Sequence, residues 1–370
     1  MSIATQAPEY IRAMMAYLPG KPVSELAREM GIEPDGIVKL ASNENPLGMS
    51  PRACEAAQQA LAEGARYPDG NGFGLKAALC ARYGVRQEQI VLGNGSNDIL
   101  ELAAHTFLRP GTSAIYSRYA FAVYPLATQA AGARGIEVPD RQFGHDLDAI
   151  LASITTDTRV IFIANPNNPT GTFIPGAALE AFLLRVPDNV LVVLDEAYTE
   201  YISGAHYYDS IAWLERFPNL LISRTFSKAY GLAGLRVGYG FGHPFVIDLM
   251  NRVRQPFNVS SMALAAAEAA LGDVGFLQRT AEINACGMAQ ITEALARLDL
   301  SWIESVANFV TFSVPNAAEV NQALLRKGVI VRPLAGYGMP EWLRVSIGLP
   351  KENVVFIEAL QSVLKMQMHG

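Results

Sequence analysis

Three stretches decide the fold: TRVIFIA (158–164), NVLVVLDE (189–196) and NLLISRT (219–225). Each is a near-continuous apolar run rich in β-branched residues, and helix-length sequence separates one from the next. A strand covered on both faces needs such a run, because neither side of its pleat meets water. Working outward, the same rhythm begins at about residue 89, with QIVLG (89–93), the helical NDILELAAHTFL (97–108), TSAIYS (112–117) and a helical stretch over 121–131. Strands alternating with helices predict an α/β fold built on a parallel sheet. A long helical stretch from about 260 to 298 ends the rhythm. Beyond it, WIES (302–305), NFVTFSV (308–314), GVIVRP (328–333) and WLRVSIG (342–348) read as strands, with helices near 316–326 and 351–366. That is the make-up of a small α+β domain, and the segment up to about residue 45 is expected to pack with it.

The 370 residues are 50% hydrophobic and 17% charged, enough for a large core shared between one large and one smaller domain. A formal net charge of -6 and the lack of any basic or basic, aromatic-interleaved run leave no footprint for nucleic acid. Small molecules are the expected partners. Cys54, Cys80 and Cys286 are odd in number and far apart, which argues against a disulfide framework and points to a reducing cytoplasm. The start of the chain has no basic, apolar, small-residue succession of an export signal. No later segment is apolar over the roughly 18 residues a membrane span needs, so no membrane association is expected. His105, His145, His206, His243 and His369 are scattered without metal-ligand spacing, and no metal is expected.

The segment SRTFSKAYGLAGLRVGYG (223–240) carries the most chemistry. It sets Lys228 just past a predicted strand, where partial burial lowers an amine's pKa and aims it, as a Schiff-base lysine requires. Thr225, Ser227 and Arg236 offer two hydroxyls and a guanidinium, a set suited to a phosphate dianion. A second phosphate device lies in VLGNGSNDIL (91–100), where a strand ends in Gly-Asn-Gly and Ser96, Asn97 and Asp98 open a helix with free amides. Asp98 stands where the dinucleotide fingerprint needs glycine, which disfavours a nicotinamide site. In LVVLDEAYTEY (191–201), Asp195 ends a strongly apolar strand and Tyr198 follows three residues on; a carboxylate there lies where open α/β sheets bind ligands. IANPNNPTG (163–171) ends another strand in a shaped loop that carries Asn168.

Taken together and in this order, GNGSND, NPNNPTG, DEAY and SKAYGLAGLRVG resemble the fold-type I aminotransferases, in the subgroup that contains histidinol-phosphate aminotransferase. The resemblance runs over nearly the whole chain and includes SNENPLG (42–48), RYPDG (66–70), VRPLAGYG (331–338) and LRVSIG (343–348). It implies a fold-type I pyridoxal-phosphate-dependent transferase, with a mostly parallel seven-stranded sheet between helices in a large domain (46–270). A smaller α+β domain would comprise 1–45 and 271–370.

The resemblance also assigns roles. Pyridoxal 5'-phosphate is the implied cofactor, with Lys228 as its Schiff-base lysine and proton shuttle and Asp195 as the partner of its pyridine nitrogen. Asn168 and Tyr198 match the ligands of its phenolate oxygen, and Tyr119 matches the aromatic that stacks on the ring. Ser96, Asn97, Thr225, Ser227 and Arg236 match the phosphate ligands. Tyr67 matches a tyrosine that reaches the phosphate from a neighbouring subunit, so a homodimer with a shared active site is expected. Arg344 matches the grip on the substrate carboxylate, Arg332 a second anion-binding arginine, and Tyr17 a residue closing over the substrate. The implied reaction is ping-pong amino transfer between L-histidinol phosphate and 2-oxoglutarate, giving imidazole-acetol phosphate and L-glutamate. The related readings are an aromatic (phenylalanine or tyrosine) transaminase and a phosphothreonine decarboxylase, which share every coenzyme motif. A regulatory module that has lost catalysis is disfavoured because Lys228 is kept. A serine acyl-enzyme is disfavoured because Thr225 stands where its motif needs serine.

Overall fold

The computed structural model describes residues 3–16 and 20–369. Its central element is a sheet of seven strands: β1 (Ile90–Gly93), β2 (Ser113–Ser117), β3 (Arg134–Val138), β4 (Thr158–Ala164), β5 (Leu191–Asp195), β6 (Leu220–Thr225) and β7 (Gly238–Gly242). They lie in the order β1-β7-β6-β5-β4-β2-β3. The pairings of β2, β3, β4, β5 and β6 are parallel, and β7 alone runs against its neighbours β1 and β6. The expected mostly parallel seven-stranded sheet is therefore present.

Alternation along each strand divides the core in two. Ile161 and Ile163 of β4, with Val192 and Leu194 of β5, share one cluster with residues of the helices Phe73–Tyr83 and Ser261–Leu271. Val160 and Phe162, with Leu191 and Val193, share the other with residues of Ser96–Phe107, Val123–Ala130 and Pro244–Val253. Both pleat faces are thus dry, which is why the central strands read as unbroken apolar runs.

Two strands of this sheet escaped the sequence reading. The edge strand β3 is mostly solvent-facing and carries Arg134 and Glu137 in place of an apolar run. In β7, GYGFG, glycine hides the strand signal, and packing explains the glycine: a Cβ at Gly238 would overlap the backbone of Gly95 and Ser96. The helical stretch expected over 260–298 is two helices, Ser261–Leu271 and Val274–Arg297, and Asp273 caps the second by accepting from the Phe276 amide at 3.1 Å.

A second sheet holds β8 (Trp302–Ile303), β9 (Phe309–Ser313), β10 (Arg332–Pro333) and β11 (Trp342–Ser346), antiparallel in the order β8-β9-β11-β10. Val310, Phe312, Leu343 and Val345 pack on the helices Val274–Arg297, Ala317–Arg326 and Pro350–His369. The opposite face carries Phe309, Thr311 and Arg344, and Thr311 donates to the Pro169 carbonyl at 2.5 Å. The run GVIVRP serves two sheets, because Val329–Ile330 pairs in parallel with Val38–Lys39 while Arg332 and Pro333 belong to β10. Among the described residues, no helix is long and apolar enough to cross a membrane.

Candidate active site

β4, β5 and β6 are parallel, and their carboxyl ends, with the end of β1, open on a cavity of about 240 Å³ whose lining also includes Phe121, residues 41–44, Tyr337 and two arginines of the four-stranded sheet. This is where an open α/β sheet can hold a ligand, because each strand end releases a loop at the same edge. Ser96, Asn97, Asn168, Asp195, Tyr198, Thr225, Ser227, Lys228, Arg236, Arg332 and Arg344 all line it.

One end of the cavity is a cradle for an anion. Gly95, at φ 81°, turns the chain into the helix Ser96–Phe107, whose first amides have no partner within the helix. The Arg236 guanidinium lies so close to Gly95 that a Cβ there would overlap it. Arg236 donates to Ser227 Oγ at 3.2 Å and to the Ala233 carbonyl at 3.0 Å, and the Ser227 amide donates to Thr225 Oγ1 at 3.1 Å. A guanidinium, three hydroxyls and a helix N-terminus therefore converge from three separate segments.

Asp195 is the last residue of β5 and is 5% exposed. Tyr124 donates to its Oδ2 at 2.8 Å, while Oδ1 is buried with no hydrogen-bond partner. Burial pushes its pKa up to about 6 against the Tyr124 bond; neighbouring Glu196 adds to the rise and Lys228 opposes it. Lys228 donates to the Ser42 carbonyl at 3.1 Å. Burial, then the Arg344 and Arg236 cations, bring its amine down to about 8, with Glu44 and Asp195 pulling the other way.

Tyr198 accepts from Asn43 Nδ2 at 2.9 Å and from Asn168 Nδ2 at 3.2 Å. With two amides on its oxygen, the phenol keeps its own proton to donate. Burial pushes it up to about 12. Asn168 Oδ1 accepts from Arg344 Nη1, and Arg344 Nη2 donates to the Ala41 carbonyl at 3.0 Å. Arg344 is buried, its guanidinium 5.1 Å from the Phe309 ring centre, and directly across the strand pair stands Arg332. Two guanidiniums thus approach the lysine cavity from one strand pair.

Two expected residues are not brought together with these. Tyr119 does not line the cavity: its ring stacks on Phe143, 5.9 Å away, in a cluster with Leu334 and Met339, and Phe121 lines the wall instead. Of the aromatics in YSRYAFAVY, the one at the cavity wall is thus Phe121, just before the helix Val123–Ala130, and Tyr119 is not. Tyr67 is 83% exposed and stacks on Phe257 at 4.7 Å, away from this chain's cavity. Tyr17 lies outside the described residues. The sequence reading missed Asn43, Tyr124 and the Ser42 carbonyl; SNENPLG stands out in the sequence, but nothing in it marks Asn43, which sits at φ 55° and holds Tyr198. His145 is buried, its ring nitrogens 2.6 Å from Ser117 Oγ and 3.0 Å from the Ala164 carbonyl, and burial brings it down to about 4.

The family described as aminotransferase class I and II matches residues 35–360. The chain belongs to the class I and II aminotransferases. It is 62% identical over 362 residues to histidinol-phosphate aminotransferase 1 of Cupriavidus pinatubonensis, covering 97% of this chain and 96% of that one. It is also 62% identical over 359 residues to histidinol-phosphate aminotransferase of Methylobacillus flagellatus, covering 97% of each. Among solved structures, histidinol-phosphate aminotransferase of Sinorhizobium meliloti in complex with pyridoxal-5'-phosphate superposes with a TM-score of 0.88 at 28% identity, over 97% of both chains.

The geometry of this aminotransferase fits the expected coenzyme on its own evidence. Asp195 Oδ1, an orphaned buried carboxylate oxygen, suits a cationic ring nitrogen, since an unpaired buried acceptor is costly unless a ligand satisfies it. The Gly95 cradle suits a phosphate, and the lowered amine of Lys228 suits an aldehyde.

Proposed function

We propose that this chain is a pyridoxal-phosphate-dependent transaminase that moves an amino group between L-histidinol phosphate and 2-oxoglutarate, in histidine biosynthesis. The observation that carries the reading is the placement of Arg332 and Arg344 as strand partners at the same cavity as Lys228. Glutamate brings two carboxylates and histidinol phosphate brings a phosphate monoester and no carboxylate, so one site must take either anion. Forked guanidiniums bind both bidentately. The 62% identity to the Cupriavidus and Methylobacillus proteins supports the same substrate pair.

When bound, pyridoxal 5'-phosphate supplies an aldehyde carbon that carries the amino group and a cationic ring that draws electrons from the substrate's Cα. Ser96, Asn97, Thr225, Ser227 and Arg236 would hold its phosphate, and Phe121 is the aromatic at the cavity wall beside them. Asp195 would keep the ring nitrogen charged. Tyr198, with its own proton, and Asn168, through its second amide hydrogen, would hold the phenolate oxygen. Lys228 Nζ, whose amine gives up its proton more readily than an ordinary lysine's because it is buried beside two arginines, would take the proton from the substrate's Cα and return it. Arg344 orients the substrate anion, and Arg332 meets the second one. The reaction is ping-pong: glutamate leaves as 2-oxoglutarate before the keto substrate, imidazole-acetol phosphate, is aminated.

The working unit we propose is a cytoplasmic homodimer. Tyr67 and Phe257 form an aromatic pair largely in water, and Leu61, Phe73 and Phe245 are also exposed, which suits a surface that a second copy covers. Tyr67 would then reach the partner's phosphate cradle, and Tyr17 would close over the substrate. We place the division between the large and small parts near residue 270, where the helix breaks, with 46–270 large and the flanking segments small. The chemistry is tested by Lys228→Ala: loss of turnover with noncovalent coenzyme binding kept is expected, and sustained multiple turnover contradicts the reading.

A further inference from the structure

We propose that Tyr124 is the positioning residue that fixes the orientation and charge of Asp195, an inference resting on the aminotransfer reading above. An aspartate at a strand end can rotate its carboxylate, and nothing in β5 itself dictates which oxygen faces a ligand. Tyr124 supplies that choice. Its hydroxyl donates to Oδ2 at 2.8 Å, which leaves Oδ1 as the oxygen without a partner.

The tyrosine is itself held on every side. It is fully buried, its ring lies parallel to Phe162 of β4 at 4.9 Å and 5°, and Phe121 packs edge-on at 5.9 Å and 83°. Its carbonyl accepts from buried Thr128 Oγ1 at 2.8 Å, one helical turn on. A clamped ring has one direction in which to point its O–H, so the hydrogen bond defines the carboxylate plane and does not merely follow it. Phe121, the ring that packs on Tyr124, also lines the coenzyme cavity. The turn into the helix Val123–Ala130 therefore sets a cavity-lining aromatic against the tyrosine that holds Asp195.

The hydroxyl also favours the ionised form of Asp195, because a donor to a carboxylate stabilises its charge. The other titratable groups facing Asp195 are Glu196, Lys228 and Tyr198, and Tyr124 in turn faces Tyr198 and Tyr337. None of these changes in Tyr124→Phe, which keeps the ring and removes one oxygen.

The test is fluorescence titration of Tyr124→Phe and the parent with pyridoxamine 5'-phosphate, which binds without a lysine bond, alongside kcat against pH and thermal melting. A charge-assisted hydrogen bond is worth on the order of tenfold or more in an equilibrium constant. Tyr124→Phe should weaken pyridoxamine 5'-phosphate binding about tenfold and move the acid limb of kcat upward. In an Asp195→Asn background the same change should weaken binding less than about threefold, since the charge to be held is gone. Equal binding and an equal pH profile in Tyr124→Phe overturn the proposal. So does a lowered melting temperature accompanied by an equal loss of binding in both backgrounds, because that is the mark of a packing role alone. Binding is read without substrate, so a parent that binds the coenzyme but transfers no amino group sinks the aminotransfer reading while the Tyr124–Asp195 coupling is still decided.

Discussion

Asp195 shows what a buried carboxylate at a strand end costs its own fold. Its pKa of about 6 lies above the ordinary 3.8, so the native state keeps a proton that the unfolded chain has released between those values. Stability of the coenzyme-free protein therefore falls as pH rises through that window. An amide at this position has no charge to bury. Asp195→Asn should accordingly make the coenzyme-free protein more stable above about pH 6, by up to about 3 kcal/mol, with the gap closing below about pH 4. The loaded enzyme should meanwhile lose kcat by orders of magnitude, since the cationic ring is no longer held. Urea titrations at about pH 4 and about pH 7.5 read the first effect, and an unchanged kcat would leave Asp195 a capping residue. Lys228, Asp195, Asn168 and Tyr198 stood out in sequence because each lies at the end of an unmistakable apolar strand or a few residues past it. Asn43 and Tyr124 were not, because their partners Tyr198 and Asp195 lie 155 and 71 residues away. Phe121 is hidden among the aromatics of YSRYAFAVY, and only the packed helix decides which of them turns inward.

The elements owe their legibility to what surrounds them. β4, β5 and β6 are buried on both faces and announce themselves; β3 lies at the sheet's edge and β7 is thinned by glycine, so both are silent. What holds β5 and β6 in register near the cavity is also hidden from sequence. Arg224 Nε and Nη2 donate to Glu196 Oε2 at 2.9 and 2.7 Å, with both side chains almost wholly buried. Glu196 follows Asp195 and Arg224 precedes Thr225, so this pair braces the two strand ends that carry the site. Glu200 lies close by, pushed up to about 7 by burial and held down chiefly by Arg224. Removing one partner of a buried pair leaves an uncompensated charge. Arg224→Met should therefore destabilise the protein by about 3–5 kcal/mol, measured by urea unfolding. A change under about 1 kcal/mol would mean that the pair does not brace the strands.

At the scale of the whole molecule, the cavity takes its charge logic from both sheets. The large sheet supplies Lys228, Asp195 and the anion cradle, and the small sheet supplies Arg332 and Arg344. The two-sheet division was legible because strand rhythm ends at a long helical stretch. The split of GVIVRP between two sheets was not, since Val329–Ile330 owes its partner to Val38–Lys39, far back in the chain near its start. The proposed sharing of the site across two copies carries its own prediction. Sedimentation of the parent should give twice the 40.0 kDa chain mass, and Tyr67→Phe should stay dimeric while binding pyridoxal 5'-phosphate several-fold more weakly. A monomer with full activity would contradict the shared site.

The most direct test of the substrate reading is kcat/KM of the coenzyme-loaded protein for L-histidinol phosphate, phenylalanine and tyrosine side by side, with 2-oxoglutarate as acceptor. A preference for histidinol phosphate of about a hundredfold or more, roughly 2.7 kcal/mol of differential transition-state binding, is the predicted result. Equal or better use of the aromatic amino acids would contradict it, and would leave Arg332 and Arg344 as carboxylate ligands alone.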